Sequence, residues 1–442
     1  MTEVSDEATK IESIGIEHVP KGKRHGSAGR IFTLWFAANL TIADYVIGVI
    51  ITVFLGMSFA QAIPILIVGN VLGGLLVGLS AAMGPKLGLP QMFSSRSSFG
   101  RRGNYPLGGL NWLSTVGWFT VNTILGTLAA QALFPSLNYY LTASVLVLVQ
   151  VLIGVFGHDF IHLFEKYMSI VLGVLFFVVF VLAFPQLGSL SSSSNPSLFA
   201  APLGIVGSTL AISFSYIMSW SPYASDYSRY LPESTSKTRI TIFALIGGGL
   251  ASFLVEALGA LIGALTKSPD YFGSLRAFSG ALGAIVLIGL ILGAVAANSL
   301  NIYTNSLSAL VLDVKTKRWK TVVVGGIVGL VLALIGGANF ADNFENFLLV
   351  LDYWITPWLA IILVDFFLLN RTNTESSEMA RNWDIGAIGI YALSIVASVP
   401  FMVWPSGYVG PLSSIFGGAD FSYFISFVLA AVLIYAYRKV KP

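Results

Sequence analysis

The sequence predicts an all-α polytopic membrane protein with twelve transmembrane helices. Three observations carry that prediction. Only 10% of the 442 residues are charged, against 55% that are hydrophobic, where a soluble domain carries about 25% charged residues. Apolar segments recur from residue 30 to residue 437 with no polar domain between them. Uninterrupted runs such as GAIVLIGLILGAVAA are incompatible with the short alternating strands of a β-barrel. This composition excludes an ordinary soluble enzyme. The absence of cysteine excludes a disulfide framework, a thiolate nucleophile and a thiolate metal site.

A bilayer core about 30 Å thick needs about 20 apolar residues of helix. Windows near that length, bounded by Gly, Pro, Asn or charge, fall in order at 30–54, 60–83, 106–132, 141–157, 167–184, 203–222, 239–265, 280–311, 320–337, 347–369, 385–404 and 416–437. The fourth, fifth and ninth are the shortest. Residues 1–29 are polar and lack the apolar stretch of a signal peptide, so they read as a cytosolic tail. The tail and the alternate loops on its side hold every Lys and Arg except Lys267 and Arg276. Positive residues stay inside, which predicts a multi-pass protein of the cell membrane with both termini cytosolic. Omitting one middle helix would scramble this asymmetry. Helices one to ten make a transporter core over 30–369, and 370–442 holds helices eleven and twelve and a short cytosolic end.

Irregular backbone survives in a membrane only beside a protein-lined cavity. The first segment carries FAANLTIADYV, with Asn39, Thr41 and Asp44 where lipid-facing residues would be apolar. In the sixth, Ser219, Ser221 and Pro222 interrupt the run, and Pro222 removes a helix hydrogen bond. Two broken segments five apart fit two inverted five-helix repeats, at about 30–184 and 203–369. No residue-level match between the halves is evident, and Pro and Gly are in any case common in membrane helices.

The third segment places Asn111, Thr115, Trp118 and Asn122 on one helix face. The eighth places Asn298, Asn301 and Asn305 on one face. Such stripes either fasten helices together or read a ligand. A planar heteroaromatic ligand held between Trp118 and Trp220, with its edge on Asn122 and Asn298, would combine stacking with hydrogen bonding. A buried acid is a functional candidate by default. Asp44 and Glu256 read as the deepest acids, and Glu256 has no evident partner on its own helix. Glu165, Asp226 and Asp365 lie near helix ends and read as structural. All four histidines fall in the tail or a cytosolic loop, which argues against a buried histidine relay. No Walker-type, phosphate-cradling, metal-ligating or nucleic-acid motif is legible.

GPKLGLPQMFSSRSSFGRRGNYPLGGLNW, FIHLFEKY, SWSPYASDYSRYLP, NSLNIYTNSLSAL and YWITPWLAIILVDFFLLNR, in that order, resemble the nucleobase:cation symporter family and within it the purine–cytosine permease branch. The similarity runs from about Phe32 to Arg371. It implies a leucine-transporter-like fold, ten helices in two inverted repeats plus two, with alternating access around a midplane site. By resemblance, Trp118 and Trp220 are the stacking aromatics, Asn122, Asn298 and Asn301 the substrate amides, and Ser219 lies beside a substrate contact. Sodium-coupled relatives have two hydroxyl residues before the eighth-helix asparagine, facing carbonyls of the broken first helix. This chain has Ala296 and Ala297 there, leaving carbonyls near Asn39 and Ile42.

These readings predict a proton-coupled nucleobase importer for cytosine or purines, with Asp44 and Glu256 as coupling candidates. No cofactor or metal is expected, and the partners are the base, the coupling ion and the lipid bilayer. No nucleic-acid partner is expected and the chain is expected to act as a monomer. Sodium coupling and a hydantoin or allantoin substrate are the alternatives within the family. A passive channel and an intramembrane enzyme are the alternatives outside it.

Overall fold

The computed structural model describes residues 12, 14–190, 201–336, 340–404 and 407–440. Outside these lie residues 1–11 and 13 of the expected tail, 337 at the end of the ninth expected segment, and 441–442. Each expected segment coincides with a helix. In order they are α1 in two pieces, Gly29–Ala38 and Ile42–Phe54, α2 (Phe59–Leu87), α3 (Tyr105–Leu133), α4 (Tyr139–Phe156), α5 (His158–Gln186) and α6 (Leu203–Ser228). Then come α7 (Lys237–Thr266), α8 (Gly280–Val311), α9 (Arg318–Gly336), α10 (Asn346–Leu368), α11 (Ile385–Phe401) and α12 (Ser422–Val440).

Ten of these described helices are each long and apolar enough to cross a bilayer. The two pieces of α1, bent by 56°, make an eleventh span when joined. α11 falls in a shorter class of 10–17 residues, so the expected count of twelve is met in helices but not in full-length spans. A two-residue antiparallel pair, β1 (Val403–Trp404) and β2 (Tyr408–Val409), follows α11.

Three boundaries differ from expectation for identifiable reasons. α5 starts at His158 instead of 167, because Gly157, at φ 93°, joins it to α4 in a single residue. Only glycine adopts that angle without strain. The polar run that looked like a loop is the buried first part of α5, with His158, His162 and Glu165 facing inward. α6 resumes after a 3₁₀ turn at Ser221–Tyr223 and reaches Ser228. α12 starts at Ser422 because Gly417 and Gly418, both at positive φ, hold a turn where an apolar run was expected.

The packing has an internal symmetry. Shifting each helix by five exchanges the pair α2–α6 with α7–α1, and the pair α1–α5 with α6–α10, while α2–α7, α3–α8 and α4–α9 map onto themselves. Two structurally equivalent five-helix halves produce that pattern. α11 and α12 stand outside it, packed on each other and on α10. α10 and α3 are interior, with 89% and 78% of their apolar windows buried, whereas α4, α5 and α12, at 28% each, turn apolar faces outward. Such outward faces suit lipid rather than water.

Glycine brings the second piece of α1 against α7. A Cβ on Gly48 would lie 1.9 Å from the Glu256 carbonyl oxygen, and one on Gly259 would lie 2.0 Å from that of Tyr45. Backbone contact of this kind sets Asp44 and Glu256 within one cluster. Gly48→Ala and Gly259→Ala are expected to destabilise the protein by about 1–3 kcal/mol or more through overpacking. Gly109→Ala on α3, whose added methyl meets nothing within 4 Å, should leave stability unchanged or raise it by up to about 1 kcal/mol. Thermal unfolding of the purified protein, followed by scanning fluorimetry, checks the contrast.

Candidate functional site

A break in a buried helix orphans backbone groups that need partners. In α1, Asn39 ends the first piece, and Thr41, in extended conformation, caps the second by accepting from the Asp44 amide. In α6 the α-helix stops at Met218, and Ser219 Oγ donates to the Tyr216 carbonyl at 2.7 Å. The two breaks are joined by side chains. Trp220 Nε1 donates to Asn39 Oδ1 at 3.0 Å, while Asn39 Nδ2 donates to the Trp35 carbonyl at 2.8 Å. The Tyr216 hydroxyl donates to Asp44 Oδ2 at 2.6 Å. The Trp220 ring meets Trp35 and Tyr223 edge-on, at 5.4 and 5.2 Å.

The stripes of α3 and α8 face each other as an antiparallel ladder. Asn111 donates to Ser308 at 2.8 Å, Asn305 to Thr115 at 2.9 Å and Asn122 to Asn298 at 3.3 Å. The first two rungs are helix fastening. At the third, Asn298 Nδ2 also donates to the Phe119 carbonyl and to Gln150 Oε1 of α4, at 2.9 and 3.1 Å, and Asn301 donates to Asn298 Oδ1 at 3.1 Å. Trp118, one turn from Asn122, is edge-on to Tyr216 and Phe347, both at 5.2 Å. Among the described residues, four buried polar atoms at this end have no hydrogen-bond partner: Asn122 Oδ1, Asn301 Oδ1, Gln150 Nε2 and Trp118 Nε1. Buried polar groups are normally paired, so this set of two acceptors and two donors is suited to a polar ligand edge. Asn111 and Asn305 each also leave an oxygen unpaired, but without a free donor of this kind on their rungs.

The structure thus brings Asn122, Asn298 and Asn301 together, and Trp220 with Asn39. Trp118 and Trp220 do not touch each other in the described ring pairs; Tyr216, four residues before Trp220, is the α6 ring against Trp118. The Ser219 hydroxyl is spent on its own break, and Ser221 is the buried hydroxyl left unpaired beside it. Gln150 was missed by sequence reasoning, although a lone Gln in VLVLVQVLIG was a visible signal.

Asp44 and Glu256 form one cluster. Asp44 accepts from Thr41 at 2.8 Å and from Ser252 at 2.5 Å, in addition to Tyr216. Glu256 accepts from Asn70 at 2.5 Å, from Ser213 at 2.9 Å and from Ser252 at 3.5 Å. Glu256 therefore does have a partner on its own helix, Ser252 one turn earlier, and that hydroxyl bridges both acids. The side chain of Ile42, at the start of the second piece of α1, is buried apolar surface. Among the described residues the hydrogen bonds of Asp44 go to α1, α6 and α7, none to Ala296 or Ala297 on α8. Glu165 is fully buried rather than at a helix end, with one oxygen accepting from Ser299 at 3.3 Å and the other unpaired. The described residues contain no group of three or more His, Cys, Asp or Glu able to hold a metal ion.

On the face that carries the tail, helix ends are tied together at Glu12. Glu12 accepts from the Tyr303 and Tyr230 hydroxyls and pairs with Arg229 at 3.6 Å and Arg318 at 3.7 Å, tying α6, α8 and α9 together. A cleft of about 680 Å³ beside it is lined by Glu12, Glu17, Asp313, Lys315, Lys317 and Trp319.

A family model described as a permease for cytosine/purines, uracil, thiamine and allantoin matches residues 18–426. A putative purine-cytosine permease of Bacillus subtilis, YxlA, is 31% identical over 452 residues, covering 98% of this chain and 97% of its own. The purine-cytosine permease fcyB of Emericella nidulans is 27% identical over 465 residues, covering 98% and 88%. Among solved structures, the nucleobase-cation-symport-1 family transporter Mhp1, closed with bromovinylhydantoin bound, superposes with a TM-score of 0.78 at 18% identity, covering 96% of this chain and 95% of the other. That likeness establishes the leucine-transporter-like fold.

His25, leading into α1, meets Asp159 at the start of α5 at 2.9 Å. The Asp159 hydrogen bond raises the imidazole above its ordinary value; burial opposes this, and the Lys23 carbonyl adds to it. A raised folded-state value means the tie is fully present below the unfolded value near 6.5 and is lost as pH rises through the higher folded one. Hydrogen exchange of residues 14–25 is therefore expected to quicken beyond the intrinsic pH trend from neutral to alkaline pH. His25→Ala should abolish that extra dependence.

Proposed function

The chain belongs to the family of permeases for cytosine/purines, uracil, thiamine and allantoin, and on that premise we propose that it is a secondary active symporter importing a nucleobase. The family is one of permeases, so the chain is a multi-pass membrane transporter and not an enzyme. Cytosine or a purine is the proposed substrate, and the coupling ion is a proton. The observation that carries the substrate reading is the unpaired set at the α3–α4–α8 junction. Two amide acceptors, one amide donor and the indole N–H of Trp118 match a planar ring whose edge mixes N–H groups with ring nitrogens and carbonyls.

In this reading Trp118 and Trp220 take the two faces of the base, and Asn122, Asn298 and Asn301 read its edge. Ser219 holds the break in shape. The rings now seated against Trp118 and Trp220, Tyr216 and Trp35, must yield part of that surface. Tyr216 joins substrate to ion, since its ring abuts Trp118 and its hydroxyl is bonded to Asp44. Displacing Tyr216 removes one donor from Asp44, and proton uptake there compensates the loss. Glu256 shares the change through Ser252. The tail-side tie at Glu12 opens when the two repeats rock, releasing base and proton to the cytosol, the side to which positive-inside asymmetry assigns the tail. Both breaks and the whole site lie within one chain, so the monomer is the working unit.

A sodium-coupled mode is the second reading. Its support is the Leu40 carbonyl at the α1 break, which points at α8, 2.6 Å from where a Cβ on Gly293 would stand. Against it, Ala296 and Ala297 supply no side-chain oxygen, and hard cations want several.

Reconstituted in proteoliposomes, the protein should accumulate radiolabelled cytosine or adenine under an inward proton gradient, sodium-free, and lose accumulation with a protonophore. Sodium dependence with indifference to protonophore would overturn proton coupling. Trp118→Ala and Trp220→Ala should each cost about 1–3 kcal/mol of binding, roughly 5- to 150-fold in Kd; unchanged affinity in both would remove the stacking role. Tyr216→Phe should keep base exchange within a few-fold while cutting proton influx per base at least severalfold.

A further inference from the structure

The described acids of the membrane interior include one that neither the substrate site nor the Asp44–Glu256 cluster uses. Asp352, in FLLVLDYWITPW on α10, is fully buried, and among the described residues neither carboxyl oxygen has a partner in hydrogen-bond geometry, although the Ser215 hydroxyl lies close by. The Tyr423 hydroxyl on α12, also fully buried, is unpaired too. Apart from Tyr423, the hydroxyls around Asp352 are engaged elsewhere. Ser215 of α6 donates to the Leu348 carbonyl, one turn before Asp352, at 2.6 Å, and Thr356 donates to the carbonyl of Asp352 itself at 2.7 Å. Tyr353 and Ser422 donate to Asp420 at 2.7 and 2.6 Å.

The ionisable groups near Asp352 are acidic or neutral: Tyr353 on α10 itself, and Asp420 and Tyr423 from the α12 side; the tyrosines Tyr391 of α11 and Tyr216 of α6 donate elsewhere, to the Trp354 carbonyl and to Asp44. α3 presents no charged residue. No described Lys, Arg or His pairs with Asp352. A buried carboxylate that accepts no well-formed hydrogen bond and faces no counter-charge is among the costliest groups to bury, and it either binds a cation or takes a proton.

We propose that Asp352 is a proton-binding site, separate from the substrate site and from the Asp44–Glu256 cluster, and that it bears a proton in this arrangement. The step is the addition of one proton to one carboxylate oxygen, with no other reactant. Its consequence runs through Ser215. When Asp352 is neutral, the Ser215 hydroxyl ties α6 to the Leu348 carbonyl of α10. When Asp352 ionises, it attracts that hydroxyl and the tie is released. Ser213 and Tyr216, on the same turn of α6, hold Glu256 and Asp44. Proton occupancy on α10 is thereby felt at the segment of α6 that precedes its break.

Infrared difference spectroscopy of the purified full-length protein between neutral and alkaline pH, without substrate and without sodium, tests the site directly. The wild type should show a neutral carboxylic-acid carbonyl band that shifts in D₂O. Asp352→Asn should remove one residue's worth of it, whereas the double variant D44N/E256Q should retain it. An unchanged band in Asp352→Asn means Asp352 is ionised and overturns the proposal. Loss of the wild-type band on adding sodium chloride would overturn it too, in favour of a cation site. If Asp352→Asn does not fold, Asp352→Glu must move the band, and an unmoved band has the same negative meaning. The measurement involves no nucleobase, so this inference and the transport reading fail independently.

Discussion

The rest of the structure depends on the absence of water around two interrupted helices. An unsatisfied backbone or side-chain polar group in a membrane interior costs several kcal/mol, so each break must be supplied with partners from protein. Here each supplies the other. Trp220 of the α6 break donates to Asn39 of the α1 break, and Tyr216 donates to Asp44. These bonds cross between the two halves of the internal symmetry. Any rotation of one half against the other must strain or exchange them, which couples the geometry of the breaks to the relative position of the repeats.

Around this junction the interior is divided by function. The lower rungs of the α3–α8 ladder pair side chains across the helices, while the end at Asn122 keeps acceptors and donors free beside Trp118. On the opposite side, glycine contact brings α1 against α7, and Ser252 and Ser213, with Asn70 and Tyr216, serve as donors to the two acids. Tyr216 touches both regions. On the tail side, Glu12 ties Arg229 and Arg318 together across the helix ends.

Much of this was legible in the chain itself. Hydropathy and charge mark the helices α1 to α12, though not short ones such as Tyr271–Phe278, and Asn39, Asp44 and Pro222 mark both breaks, because polar and helix-breaking residues in lipid need a reason. The stripes of α3 and α8 were visible as periodicity, but periodicity cannot say which stripe faces which, so the fastening role of Asn111 and Asn305 emerged only from their pairing. α5 was read too short because His158, His162 and Glu165 look like a loop unless tertiary neighbours bury them. Ser252 gave no signal apart from being four residues before Glu256. Gln150 and Asp352 did give one, an isolated polar residue in an apolar run, and were passed over. The sequence places Trp118 and Trp220 on either side of a planar ligand, but it carries no sign of Tyr216, whose contact with Trp118 depends on how α6 packs and not on any local pattern.

In the proposed function the two breaks and the Asn122 end of the ladder together form the substrate site. The most direct measurement is an experimentally determined structure of the protein with cytosine or adenine bound. The account predicts the base among α1, α3, α6 and α8, stacked on Trp118 or Trp220 with its edge within hydrogen-bond distance of Asn122 or Asn301. A base seated elsewhere, for instance in the cleft beside Glu12 and Trp319, with the Asn122 end still unpaired, would contradict it.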